Sequence, residues 1–157
     1  MMLRPLIPIA FLATACVQDP TIPKLGDRAI ELRVQVSTQR LAPGQSDTIS
    51  INAINHLPDQ VRILFNSTCQ ILVYIRTKTG DAVVPEGGDY DCIPVPSQLV
   101  IPGNGTVTQK FIWKGGTAFD PPGSPTRLPA GDYFVTATMD ADGFSVLGFA
   151  VKVTLLP

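Results

Sequence analysis

The fold of this chain is decided by the stretch Ala29-Ile30-Glu31-Leu32-Arg33-Val34-Gln35-Val36-Ser37. Apolar side chains stand at its even positions from 30 to 36, and polar side chains stand at the odd positions between them. Strict alternation predicts a β-strand with one buried face, because successive side chains of a strand point to opposite sides of the sheet. A β domain is therefore expected to start near Ala29.

The same alternation recurs towards the C-terminus, between turn sequences rich in glycine, proline and aspartate. The strands predicted from it are 48–55, 61–65, 69–78, 82–84, 98–101, 106–113, 132–139 and 144–155. The turn 102–105 is expected to join two strands as a hairpin, and the turn 140–143 to close the last hairpin. No segment carries apolar residues at helical spacing over more than two turns.

Seven to nine short strands separated by such turns predict an all-β fold, an antiparallel β-sandwich of immunoglobulin-like type. A closed barrel is the alternative architecture. Hydrophobic residues make up 45% of the chain and charged residues 16%, as in an ordinary folded protein, and the length suits one domain at 29–157. Trp113 shares a strand face with Val107 and Phe111, and is expected in the core.

The first fifteen residues have the three parts of an export signal. Arg4 supplies the positive charge, 6–12 form a short apolar segment, and 13–15 are small residues. The apolar segment is about a third of the roughly 20 residues that a membrane-spanning helix needs. With Cys16 directly after it, this segment resembles the lipobox of bacterial lipoprotein signals, in which a peptidase cuts before a cysteine that carries a diacylglycerol.

We therefore predict a lipoprotein signal peptide at 1–15, a lipid on Cys16 and a lipid-anchored flexible tether at 16–28. The alternatives are an ordinary secretory signal cut near Ala15 and a retained N-terminus. The tether is polar and contains two prolines and a glycine. No aspartate directly follows Cys16, so the expected location is the bacterial cell envelope, by default the periplasmic face of the outer membrane.

Cysteine content agrees with an extracytoplasmic location. With Cys16 assigned to the lipid, Cys69 and Cys92 remain, and a disulfide between them is the expected state. The alternative is two buried free thiols. Two cysteines do not make a four-ligand zinc site, and the one histidine of the sequence, His56, lies in a different segment.

Composition and motifs argue against several function classes. The formal net charge is −1 and the basic residues are scattered, which gives no reason to expect nucleic acid as a partner. No Gly-x-Ser-x-Gly or related signature presents a nucleophile, and His56 is expected as a solvated loop residue. The acidic clusters at 86–91 and 140–142 lack the glutamate that closes a calcium loop. We expect no metal, no cofactor and no enzymatic activity.

The best candidate for a contact surface is the loop 115–126. Its one large apolar side chain is Phe119, and prolines at 121, 122 and 125 restrict its conformations, which lowers the entropy lost on binding. Phe119, Pro121, Pro122 and Pro125 are therefore the predicted binding residues. The alternative is a loop that merely crosses between the sheets with Phe119 turned inward.

Several short motifs resemble the bacterial intracellular proteinase inhibitor (BsuPI) domain, an immunoglobulin-like sandwich. They are Leu41-Ala42-Pro43-Gly44, the strand ending at Phe65, the turn at Gly80, Phe111-Ile112-Trp113 and Leu128-Pro129-Ala130-Gly131-Asp132-Tyr133. The resemblance spans residues 30–155 and implies the fold.

The function expected from all of these features is a noncatalytic, lipid-anchored envelope protein that binds a protein or glycan partner. The BsuPI resemblance supplies the alternative, a periplasmic or cell-surface proteinase inhibitor.

Overall fold

The computed structural model describes residues 29–120 and 125–157, and within them every regular element is a β-strand. The predicted signal peptide, Cys16, the tether, Pro121 and Pro122 lie outside these residues. The strands are β1 (Ile30–Val36), β2 (Arg40–Leu41), β3 (Asp47–Asn55), β4 (Val61–Phe65), β5 (Leu72–Thr77), β6 (Ala82–Val84), β7 (Ser97–Ile101), β8 (Thr106–Trp113), β9 (Phe119–Asp120), β10 (Gly131–Ala141), β11 (Phe144–Leu147) and β12 (Val151–Leu155).

The strands form two main sheets and one short pair. One sheet has the order β1-β3-β8-β9, the other has the order β2-β12-β10-β5-β6 with β11 also paired to β10, and β4 pairs with β7. The orders β1-β3-β8 and β5-β10-β12 correspond to strands A-B-E and C-F-G of an immunoglobulin-like sandwich. The predicted fold class is confirmed.

The chain changes sheets between β1 and β2. Strand β1 pairs antiparallel with β3, whereas β2 pairs parallel with β12 through Leu41 and Leu155. The crossing is held by Asp47, which is fully buried. Its Oδ1 accepts hydrogen bonds from the backbone of Ser37 and Thr38 and from the Ser37 hydroxyl. One carboxylate thus satisfies the backbone where β1 leaves its sheet.

The described residues contain twelve strands rather than seven to nine, because β2 and β9 are two-residue strands and the last predicted strand is divided into β11 and β12. The predicted hairpin at 102–105 is wrong, since β7 pairs with β4 and β8 pairs with β3. A β-carbon on Gly103 would lie 1.9 Å from the carbonyl oxygen of Pro58. This segment therefore packs closely on the loop after β3 while the chain crosses between sheets.

Buried Asn55 fixes the same crossing. Its Nδ2 donates to the carbonyl oxygens of Asp59 at 2.8 Å and Pro102 at 3.0 Å. Its Oδ1 accepts from the backbone N–H of Leu57 at 2.9 Å. The two loops are thus joined through one amide side chain, and its donor and acceptor atoms are both used.

The core lies between the two sheets and contains Trp113, as predicted. Its indole is fully buried, donates from Nε1 to the carbonyl oxygen of Gly116 at 2.8 Å, and meets the ring of Tyr133 edge-on. The hydroxyl of Tyr133 donates to the carbonyl oxygen of Pro129 at 2.9 Å, four residues upstream. This is the tyrosine corner found at the start of strand F in immunoglobulin-like sandwiches.

A bulge separates β11 from β12. Thr138 pairs with Leu147 and Val135 pairs with Val151, so that three residues, 148–150, lie opposite two residues of β10. Gly148 is buried at this point and donates its backbone N–H to Ala137 at 2.8 Å. A β-carbon there would lie 3.1 Å from the carbonyl oxygen of Leu32. The bulge is therefore packed against the edge of β1.

The predicted disulfide is present. Cys69 and Cys92 are joined across a sequence separation of 23 residues, with their Cα atoms 5.5 Å apart. The bond connects the segment before β5 to the loop that follows β6. This loop carries Tyr90, whose carbonyl oxygen accepts the N–H of Cys92 at 2.9 Å. The crosslink thereby restrains the position of Tyr90.

Candidate functional site

A surface groove of about 410 Å³ lies between the β6–β7 loop and the strands β8 and β9. We call it the Phe119 groove. Its lining consists of Val84, Pro85, Glu86, Tyr90, Lys110, Phe111, Thr117, Ala118, Phe119 and Asp120. Aromatic and aliphatic surface forms the floor and walls, and charged side chains stand at the rim. This composition is that of a binding pocket with a few orienting polar groups.

Strand β9 positions Phe119. The strand pairs with β8 so that Phe119 lies opposite Trp113, and the ring of Phe119 packs on that of Phe111 with centroids 5.1 Å apart. Both phenyl rings are half-buried. One face of this aromatic pair is therefore fixed by the sheet, while part of its surface remains open to the groove.

The opposite wall is formed by Tyr90, which is also half-buried. Its hydroxyl donates to the carbonyl oxygen of Val73 in β5, and its ring meets that of Tyr74 edge-on at 5.5 Å. Burial raises the pKa of Tyr90 to about 12. Tyr90 therefore stays protonated at neutral pH and acts as a hydrogen-bond donor to the strand rather than as an ionised group.

The rim of the groove carries both signs of charge. Glu86, Lys110 and Asp120 are exposed. The carboxylate of Glu86 accepts the hydroxyl of Thr117 at 3.2 Å, and Asp120 is paired with Lys114. With both signs present, the rim can orient a polar or mildly basic ligand without selecting one strongly by charge.

The predicted binding residues are only partly brought together. Phe119 lines the groove, and its ring also packs on that of Phe111. It therefore combines the two predicted alternatives, a residue available for binding and a residue turned inward. Pro125 is exposed and lies against Gly116, where a β-carbon would approach the Pro125 ring to 2.8 Å. It is not among the lining residues of the groove. Pro121 and Pro122 lie outside the described residues.

His56 is exposed, as expected, and its Nε2 lies 3.0 Å from Oε2 of Glu31. Hydrogen bonds from His56 and then Arg33 hold the pKa of the Glu31 carboxyl below its usual value.

The acidic clusters remain on the surface, where Asp140 accepts the hydroxyl of Ser145. Among the described residues, no three histidine, cysteine, aspartate or glutamate side chains are grouped so as to hold a metal ion. The same part of the chain contains no helix long and apolar enough to cross a membrane.

Sequence reasoning missed Tyr90 and Phe111 as groove residues. Tyr90 lies in a loop without strand alternation, and its position depends on the disulfide and on its hydrogen bond to Val73. Alternation predicts Phe111 only as part of a strand face. The proximity of Tyr90 to Cys92 in the sequence was the one available signal.

No protein family model matches this chain, and no curated protein matches it. Solved structures resemble it at low identity. The CARDB domain of PF1109 from Pyrococcus furiosus has 13% identity and a TM-score of 0.49, over 82% of this chain and 94% of that one. The β-glucosidase EmGH1 from Erythrobacter marinus has 11% identity and a TM-score of 0.46, over 81% of this chain and 16% of that one.

The sporulation control protein Spo0M from Bacillus subtilis has 11% identity and a TM-score of 0.44, over 82% of this chain and 50% of that one. These values are too low to transfer an activity. The class defined by strand order is an immunoglobulin-like β-sandwich with a disulfide.

Proposed function

We propose that this protein is a noncatalytic, lipid-anchored module of the bacterial envelope that binds a protein or glycan partner in the Phe119 groove. The observation that carries the proposal is the concave aromatic surface formed by Tyr90, Phe111 and Phe119. Aromatic side chains offer large contact area at low entropic cost, and are enriched at the centres of binding sites. The anchor part of the proposal rests on the sequence at Cys16.

A binding role suits the chemistry of the groove better than catalysis does. Its polar groups are Glu86, Lys110, Thr117 and Asp120, and the three charged ones are exposed to solvent. The carboxylates of Glu86 and Asp120 are engaged by Thr117 and Lys114. Glu86 and Thr117 place a carboxylate within hydrogen-bond reach of a hydroxyl, at 3.2 Å, but Glu86 is exposed and the groove lining contains no histidine to serve as a base in acyl transfer.

The groove is also held in place before any ligand arrives. Strand pairing fixes Phe119, the disulfide loop fixes Tyr90, and Phe111 lies within an eight-residue strand. A preformed site loses little conformational entropy when it binds, so modest contact area supports measurable affinity. This favours a short ligand segment, such as a peptide loop or a few sugar units, over a wide flat surface.

The test is site-specific photocrosslinking in cells that make the full-length chain. A benzophenone amino acid replaces Lys110 at the rim of the groove, and in the matched control it replaces Thr106, an exposed residue at the far end of the same strand. We expect a partner crosslinked from position 110 and not from position 106. Equal capture at both positions, or none at 110, would contradict binding in the groove.

A second variant separates groove binding from mere proximity. Ala118 is half-buried and lines the groove, so Ala118→Arg fills the space with a long side chain. Crosslinking from position 110 and affinity for the purified partner should both fall, whereas Thr106→Arg should leave both unchanged. Mass spectrometry of the same protein tests the anchor, because lipidated chains begin at Cys16 and carry a diacylglycerol on that residue.

The alternative function, proteinase inhibition, rests on the BsuPI resemblance and on the stiff proline-rich loop 115–126, whose prolines would resist cleavage. It predicts that the captured partner is a protease and that the purified protein inhibits it. Inhibition lost in Ala118→Arg would assign inhibition to the groove and replace the general binding role with this specific one.

A further inference from the structure

Two large apolar side chains stand in solvent on the flank of the domain. Phe149 is 89% exposed and Leu147 is 70% exposed, the highest values among large hydrophobic residues in the described ranges. Together with half-buried Val146 they line one side of a surface groove whose other side is Ile30 and Leu32. We call Leu147 and Phe149 the Phe149 patch.

The exposure is built into the sheet. Residues 148–150 form the bulge between β11 and β12, and an extra residue in a strand re-aims its side chains. Gly148 is fixed on the inner side by its hydrogen bond to Ala137 and by close approach to Leu32. Because Gly148 is directed inward, Phe149 on the next position is directed outward.

The patch lies where the chain enters the domain. Ile30, Glu31 and His56 belong to the same groove, and the carbonyl oxygen of Ala29, the first described residue, accepts the backbone N–H of His56. Residues 17–28 are all that separate Ala29 from Cys16. If these residues form the flexible tether that the sequence predicts, their mean end-to-end distance is about 20 Å. A lipid on Cys16 therefore keeps this flank close to the bilayer.

Charge around the patch is balanced. Glu31 is paired with His56 at 3.0 Å and with Arg33 at 2.9 Å. The rim therefore offers no excess of basic residues for anionic headgroups, and insertion would depend on apolar contact alone.

We propose that the Phe149 patch inserts into the surface of the lipid bilayer and fixes the orientation of the anchored domain. This inference rests on the proposed anchor at Cys16. The partner is a lipid surface of no particular headgroup charge, with Phe149 and Leu147 at the level of the upper acyl chains. A domain held in this way has a defined side facing away from the membrane, whereas a domain on a free tether would rotate.

The test uses the full-length lipidated chain in phosphatidylcholine vesicles, with Phe149→Trp as the probe. Phe149 is almost wholly exposed, so the substitution disturbs no packing, and the native Trp113 is fully buried and gives a constant background. We expect a blue shift of emission on vesicle binding and quenching by lipids with brominated acyl chains. The matched control is Ala130→Trp, an exposed position about 20 Å away along β10, which should show neither.

Three outcomes would overturn the proposal. The first is a lipidated Phe149→Trp chain that sediments with vesicles but is not quenched, which leaves the anchor intact. The second is equal quenching of Phe149→Trp and Ala130→Trp. The third is a blue shift that depends on protein concentration without lipid quenching, which would assign the patch to contact between two copies.

A chain without lipid on Cys16 would refute the anchor separately. Its Phe149→Trp form is then mixed with the same vesicles, where quenching supports insertion of the patch and its absence refutes it. Leu147→Ser in the Phe149→Trp chain should weaken the quenching, because the two side chains insert together.

Discussion

Asp47 accepts two hydrogen bonds from one residue, Ser37: the backbone N–H at 2.8 Å and the hydroxyl at 2.7 Å, both to Oδ1. The second carboxylate oxygen of Asp47 is buried and has no hydrogen-bond partner among the described residues. This pair closes the point where the chain passes from one sheet of the sandwich to the other. Three hydrogen bonds offset the cost of burying the carboxylate, and without Asp47 the N–H of Thr38 and the hydroxyl of Ser37 would lose their acceptor.

Asp47→Ala should lower the free energy of unfolding by about 2–3 kcal/mol, because it leaves the N–H of Thr38 and the hydroxyl of Ser37 without their acceptor, while the Ser37 N–H keeps the carbonyl oxygen of Thr48 at 3.0 Å. Asp47→Asn is the matched control, because the asparagine side chain has the same shape and keeps one acceptor oxygen. Its free energy of unfolding should fall by less. Urea unfolding with the disulfide intact measures both values. Equal losses in the two variants would contradict this role for the carboxylate.

Replacing Cys69 and Cys92 by serine should lower the free energy of unfolding by about 3 kcal/mol on the chain-entropy model, given their separation of 23 residues. Ligand binding in the Phe119 groove should weaken as well, because the crosslinked loop positions Tyr90. Thermal unfolding with and without reductant measures the effect, and the double serine variant should not respond to reductant. Unchanged stability of the native protein on full reduction would refute the prediction.

Gly148→Ala should destabilise the domain by about 1–3 kcal/mol, as overpacking of a filled site does. The added β-carbon would lie 3.1 Å from the carbonyl oxygen of Leu32 and 3.2 Å from a methyl group of Val34. A double-mutant cycle with Val34→Ala, measured by urea unfolding, is the control. Val34→Ala should lower the free energy of unfolding by less in the Gly148→Ala background than in the native chain, because it removes the close contact between the added β-carbon and the Val34 methyl group. Additive losses would mean that the two residues do not interact.

Stability should fall at alkaline pH because of Tyr90. Burial raises its pKa to about 12, whereas a tyrosine in the unfolded chain has its ordinary pKa of 10.0. The unfolded state therefore releases the proton first, and the contribution of Tyr90, complete below pH 10, is lost as the pH rises from about 10 to about 12. Urea unfolding across this window, with tyrosinate absorbance as a second readout, measures the loss. The free energy of unfolding of Tyr90→Phe should fall less steeply with pH than that of the native protein. Identical slopes for the two proteins would refute the assignment to Tyr90.

The sequence predicts which residues face the core, because alternation determines the buried face of each strand. Ile30, Val73 and Val135 all lie inside as that pattern requires. It does not predict which strands pair. The turn at Gly103 has the composition of a hairpin turn, yet close packing on Pro58 directs the chain into another sheet. Partner choice depends on contacts far apart in sequence, and these leave no local pattern.

The groove follows the same rule. Phe119 stands out in the sequence because it is the single large apolar residue of a proline-rich loop, and the structure gives it a place in the lining. Tyr90 does not stand out, since its position comes from a disulfide and from one hydrogen bond to Val73. The sequence does not predict the Phe149 patch either, because the bulge that exposes it interrupts a segment whose alternation predicts one regular strand.

The parallel pairing of Leu41 with Leu155 joins the beginning of the domain to its end. Leu41 is synthesised long before Leu155, so the second sheet stays open along this edge until the last strand has been made. Closing such distant segments is slow compared with forming local turns. The nascent chain therefore cannot complete its fold part-way through synthesis, a delay compatible with the export that residues 1–15 predict.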